Sequence, residues 1–141
     1  MIDLSVQKKF QVEIDRDYGL TEYLHQVVFQ ENRRCSICYD MRLTMAAEKA
    51  VVQGFDAFST TLLYSKYQNH NLLKEKCTSL AKQFEIEFYY HDFREGWQQG
   101  IDEALALDLY RQPYCGCIYS EQERYDKKLR KKMRQGEDVS R

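Results

Sequence analysis

Between Cys35 and Gln53 the apolar residues Ile37, Met41, Met45, Ala47, Val51 and Val52 recur mostly three or four apart. That spacing predicts a helix, and Gly54 supplies its end. Gly19 to Gln30 carries the same signal, with Leu20, Tyr23, Leu24, Val27 and Val28 on one face and Thr21 as a cap near its start. Asn71–Phe84 and Trp97–Leu109 are two further amphipathic helices, and a charged helix is expected from about Ser120 to Gln135. Strand signals are shorter. Phe10, Val12 and Ile14 alternate with polar residues, while Phe55–Thr60 and Ile86–Tyr90 read as short buried strands. Helices alternating with short strands predict an α/β layered domain, and helical crossovers between the strands predict parallel pairing. Three strands are few for such a sheet, so the chain reads as part of a domain.

Composition narrows the class. At 141 residues, 43% hydrophobic and 13% aromatic, the chain is long enough for one packed core and unlike a disordered or fibrous sequence. No apolar run nears the roughly 20 residues that span a bilayer, and the start, MIDLSVQKKF, has no apolar signal region. A cytoplasmic protein with no membrane partner is therefore expected. The net charge of -1 excludes a globally basic nucleic-acid binder. The charge is unevenly spread, however: residues 121–141 carry about +3 and the rest about -4.

A reducing compartment changes the meaning of five cysteines, because paired cysteines there bind metal or carry electrons more often than they cross-link. Cys35 and Cys38 stand three apart at a helix start, where one turn brings both sulfurs to the same side. The positive end of the helix and Arg33, Arg34 and Arg42 offset negative charge on those sulfurs. Cys115 and Cys117 flank Gly116, a spacing that can close into an easily reduced disulfide or put both thiolates on one metal. The four are read as one redox or metal site, against the plainer reading of incidental cysteines. Cys77, inside an amphipathic helix, is read as a core residue. Asp40 could add an oxygen ligand, although a solvated acid in a first helical turn is the plainer assignment. His25 and His70 read as surface or capping residues. His91 and Asp92 follow a strand, where α/β sites gather. The basic stretch Arg124 to Arg134 could contact RNA phosphates, and Tyr64, Tyr67, Tyr110, Tyr114 and Tyr119 could stack bases; a solvated terminal helix is the competing reading.

RCSICYDMRL at 34–43, GFDAFSTTLLYSKYQN at 54–69, DFR at 92–94 and LYRQPYCGCIYS at 109–120 resemble, in order and spacing, the QueH family of epoxyqueuosine reductases. The resemblance covers about residues 15–120. It implies a HUP-type, Rossmann-like α/β domain with a short parallel sheet over residues 1–120; the charge pattern adds a basic C-terminal helix or tail over 121–141. It also implies an iron–sulfur oxidoreductase that reduces epoxyqueuosine to queuosine at the wobble position of tRNA, the last step of queuosine biosynthesis. The implied cofactors are a [4Fe-4S] cluster, on Cys35 and Cys38, and an additional iron with Asp40 as a candidate ligand. Cys115 and Cys117 match the family's redox-active pair, which can form a disulfide bond. The implied partners are tRNA carrying epoxyqueuosine and an unidentified electron donor.

In one respect the chain departs from the family. Members begin with a strand ending in tandem cysteines of the kind CCAPC, which complete the cluster, whereas none of the 34 residues before Cys35 is cysteine. The expectation is a domain lacking its first strand and helix, and with them half the cluster ligands, so that the chain as written could be an inactive fragment. Two other classes compete: a zinc-stabilised RNA-binding domain without catalysis, held by the four cysteines, and a thiol–disulfide oxidoreductase using the CxxC alone.

Overall fold

The computed structural model describes residues 2–134, which divide into two compact units at Arg94/Glu95. In the first unit the helices are α1 (Ile2–Lys8), α2 (Leu20–Val27), α3 (Arg34–Val52) and α4 (His70–Gln83), and the strands are β1 (Ala57–Phe58) and β2 (Glu87–Phe88). The strands pair in parallel, Ala57 with Glu87 and Phe58 with Phe88, and α4 is the crossover between them. The result is an α/β layered unit, helix-rich, around a two-stranded parallel sheet.

The two long helices follow the sequence signal closely. On α3, Tyr39, Leu43, Ala47 and Ala50 are buried at successive turns; on α4, His70, Leu73, Cys77 and Leu80 are. With Phe58, Leu63 and Ile86 the apolar members of these rows make one core. Gly54 ends α3 as expected. It takes φ +74°, its N–H donates to Val51 O, and Phe55 N–H donates to Ala50 O at 2.9 Å, the two bonds that close a helix through a left-handed residue. Asn69 opens α4, its side chain accepting from Leu72 N–H at 3.1 Å.

Elsewhere the structure corrects the pattern. The alternation Phe10–Val12–Ile14 forms no strand. Phe10 and Ile14 stay exposed, while Glu13 pairs with Lys49 of α3 and with Gln53 just beyond its end. The second helix is short, Leu20–Val27, and Gly19 rather than Thr21 precedes it, with no side-chain cap.

The second unit holds α5 (Trp97–Ala106), α6 (Ile118–Tyr125) and α7 (Lys127–Arg134). The single charged helix expected from Ser120 onward is two helices. Asp126 leaves helical geometry at ψ 101°, and its carboxylate accepts from Lys128 N–H at 2.9 Å to start the second. The remainder of the expected tail, 135–141, lies outside the described residues. No helix among the described residues is long and apolar enough to cross a membrane.

Candidate active site

Cys35 and Cys38 lie at the start of α3, Cys35 exposed and Cys38 half-buried, one helical turn apart on neighbouring positions. No acid occupies this first turn, so the positive end of the helix dipole near the sulfurs meets no competing carboxylate there. The next residue fixes the turn in place. Buried Tyr39 donates its hydroxyl to Gln68 Oε1 at 2.7 Å and accepts from Asn69 N–H at 3.0 Å, tying the cysteine-bearing turn to the start of α4. Asp40 is already engaged: its carboxylate pairs with the Lys76 ammonium of α4. The lysine contacts Oδ1, so Oδ2 is the oxygen left to a further partner.

A four-thiolate cluster would have two candidate ligands, Cys35 and Cys38, on the surface of this unit. The unit's third cysteine, Cys77, is fully buried in the core, where burial pushes its thiol up to about 11. Among the described residues no group of three His, Cys, Asp or Glu side chains converges as a metal site. Cys35 and Cys38 therefore fit half a cluster, and the described residues of their unit do not supply the other half. The burial of Cys77 carries a prediction. Iodoacetamide at pH 8 should leave Cys77 unmodified in the folded protein and alkylate it in denaturant, read by peptide mass spectrometry; labelling in the folded state at the rate of Cys35 would contradict the core assignment.

The second pair is built differently. Gly116 takes φ +92°, a region that side chains disfavour, and so lets the backbone turn between Cys115 and Cys117. Cys117 is the residue that caps α6, in extended conformation, its carbonyl accepting from Glu121 N–H at 3.0 Å. The Cys115 thiol donates to Ser120 Oγ at 3.0 Å, and the Ser120 hydroxyl donates to Cys117 O at 3.0 Å. Hydrogen bonding with the Cys117 side chain, reinforced by burial, raises the Cys115 thiol well above its ordinary range. Two thiols in mutual contact across one glycine can exchange two electrons through a sulfur–sulfur bond.

His70 was not legible as anything but a capping or surface residue, and the structure corrects this. It is only 8% exposed, and its Nε2 meets Tyr90 Oη at 3.0 Å, beyond the carboxyl end of β2. Nδ1 is buried with no hydrogen-bond partner among the described residues. No local signal marks such a residue, because its partner lies 20 positions away. His91 is exposed and packs edge-on against Phe93, ring centres 4.9 Å apart. Asp92 is bound by the Arg94 guanidinium at 2.6 and 2.8 Å, which holds its carboxyl well below the usual carboxylate range. His25 is exposed on α2.

The described residues form a helix-rich α/β chain with a CxxC at one helix start and a CxC at another. Residues 2–123 match the family described as epoxyqueuosine reductase QueH, and the chain belongs to that family. It is 38% identical over 127 residues to the epoxyqueuosine reductase QueH of Dehalococcoides mccartyi, covering 90% of this chain and 70% of that protein. Against the protein of the same name from Streptococcus pyogenes it is 32% identical, covering 76% of this chain and 45% of the relative. For Thermotoga maritima the identity is 34%, over 68% of this chain and 51% of the relative. The chain thus spans about half the length of two of these relatives and 70% of the third.

Proposed function

We propose that this chain carries out the reduction of epoxyqueuosine to queuosine at the wobble position of tRNA. The observation that supports it is the family match over residues 2–123. Deoxygenation of an epoxide breaks two C–O bonds and needs two electrons and two protons to release the oxygen as water. The thiols of Cys115 and Cys117 hold that complement. If they supply it, one S–S bond forms, the alkene is left, and a dithiol or other two-electron donor must restore the pair. The contact between the two thiols and the turn at Gly116 support this role. Cys35 and Cys38 would hold two positions of an iron–sulfur cluster, whose chemistry is one-electron transfer. Asp40, whose Oδ1 is held by Lys76, would offer its other carboxylate oxygen to an additional iron. The basic helix α7, Lys127–Arg134, is suited to tRNA phosphates.

The test is conversion. Protein purified without oxygen, given tRNA containing epoxyqueuosine and a strong reductant, should yield queuosine in digested nucleosides analysed by mass spectrometry. Bound iron with no conversion would defeat the catalytic reading. One zinc per chain, no iron and no conversion would replace it with the structural zinc and RNA-binding reading.

A further inference from the structure

Beside β2, the flank of α4 leaves a groove of about 470 Å³, within the range of small-ligand sites, lined by Lys74, Thr78, Lys82, Glu87, Phe88 and Tyr90 among others. Its chemistry is mixed in a particular way. Lys74, Thr78 and Lys82 succeed one another at four-residue spacing along α4, so both ammonium groups line one side. The other side is aromatic. Phe58, Phe88 and Tyr90 form a row leading out of the core, with centroid separations of 5.7 Å and 6.1 Å, and Tyr90 stands at its exposed end.

Tyr90 is held in place more firmly than a surface ring needs to be. Its hydroxyl meets Nε2 of buried His70, and the His70 ring packs edge-on against it at 5.8 Å. His70 is more than nine-tenths buried, and Nδ1 has no partner among the described residues, so the one hydrogen bond this imidazole makes there is the one to Tyr90. Burying a polar ring with one nitrogen unsatisfied is costly. What it secures is a fixed aromatic face, 39% exposed, at the groove. The Lys74 ammonium lies over that face, 4.2 Å from the ring centre, so the face is open to a partner from the groove side.

We infer that this groove is a nucleotide site, in which one unstacked base of an RNA loop lies on Tyr90 while Lys74 and Lys82 hold the flanking phosphates. The inference rests on the RNA-modification reading above and adds to it a place for a nucleotide other than the reacting one. The base replaces the Lys74 ammonium on the ring, and the displaced ammonium turns to phosphate. A prefixed ring needs no ordering on binding, which favours affinity. Glu87, the acidic residue in the lining, can accept from an exocyclic amino group of the base.

The experiment uses the full chain and a fluorescein-labelled RNA hairpin with a seven-nucleotide loop, titrated by anisotropy at several salt concentrations. Tyr90→Ala is expected to weaken binding roughly tenfold. The double reversal Lys74→Glu/Lys82→Glu, on solvent-exposed positions that leave the core untouched, is expected to weaken it further and to flatten the salt dependence by about two phosphate contacts. With 2-aminopurine placed at each loop position in turn, one position should lose fluorescence with the parent protein and keep it with Tyr90→Ala. Binding unchanged in both variants overturns the inference and points to a protein partner at the groove. A loss in the lysine variant alone, with no position quenched, also overturns it and leaves a general anionic surface. The outcome is separable from the catalytic reading. A protein that reduces the tRNA but binds the loop independently of Tyr90 refutes only the groove. One that shows the Tyr90 dependence but reduces nothing refutes only the catalysis.

Discussion

Cys117→Ser will bring the reduction of epoxyqueuosine in tRNA to below roughly a thousandth of the parent rate, with the bound iron unchanged. In the proposed reaction both electrons would leave through formation of one S–S bond, and an oxygen in place of either sulfur cannot form it. The position makes the substitution unusually clean. Cys117 caps α6 in extended conformation, where no side-chain cap bond is made, and serine is a preferred residue there. The helix should therefore persist or gain stability, so a loss of turnover cannot be assigned to unravelling. Cys115→Ser should behave alike, with the Ser120 and Cys117 carbonyl contacts left to hold the turn. The measurement is single-turnover conversion followed by nucleoside mass spectrometry, beside iron content and far-ultraviolet circular dichroism. Turnover within tenfold of the parent in either variant would remove the pair from the mechanism and leave a structural role for it.

The second large effect is on stability. Leu73, at 0% exposure on α4, lies in the core with Tyr39, Leu43, Phe58, Leu63 and Cys77. Leu73→Ala removes buried methyl groups and leaves a cavity, at a cost of about 2–5 kcal/mol. For a domain whose whole stability is on the order of 5–15 kcal/mol, that is a large fraction. Urea unfolding should show the midpoint fall with the slope unchanged. Val52→Ala, at 86% exposure on the neighbouring helix, should stay within about 0.5 kcal/mol. A loss under about 1 kcal/mol for Leu73→Ala would mean that this core collapses around the gap more readily than packed interiors do.

Much of this was open to reading from the chain alone. The helices at Arg34–Val52 and His70–Gln83 start and stop within a residue or so of where the apolar spacing and Gly54 place those ends. The same is true of Cys77, whose position on the apolar face puts it in the core. The motifs around Cys35, Cys38, Cys115 and Cys117 carried the family, and the comparisons agree. These are signals repeated over a few turns, or fixed residues at fixed spacing, and both survive ignorance of what the segment packs against.

What the sequence could not decide depends on a second segment arriving. Phe10, Val12 and Ile14 alternate as a strand should, yet a strand exists only where a neighbour accepts its hydrogen bonds. Here Glu13 pairs with α3 instead. That Asp40 pairs with Lys76, 36 residues on, is likewise visible only in the folded chain. His70, at a helix start, reads as a surface or capping residue, and the folded chain buries it against Tyr90. Periodicity therefore determined the helices and the cysteine spacing determined the chemistry to look for. The tertiary structure alone decided which polar groups are occupied, which are buried, and where an aromatic face is held ready, because each of those depends on residues distant in sequence meeting in space.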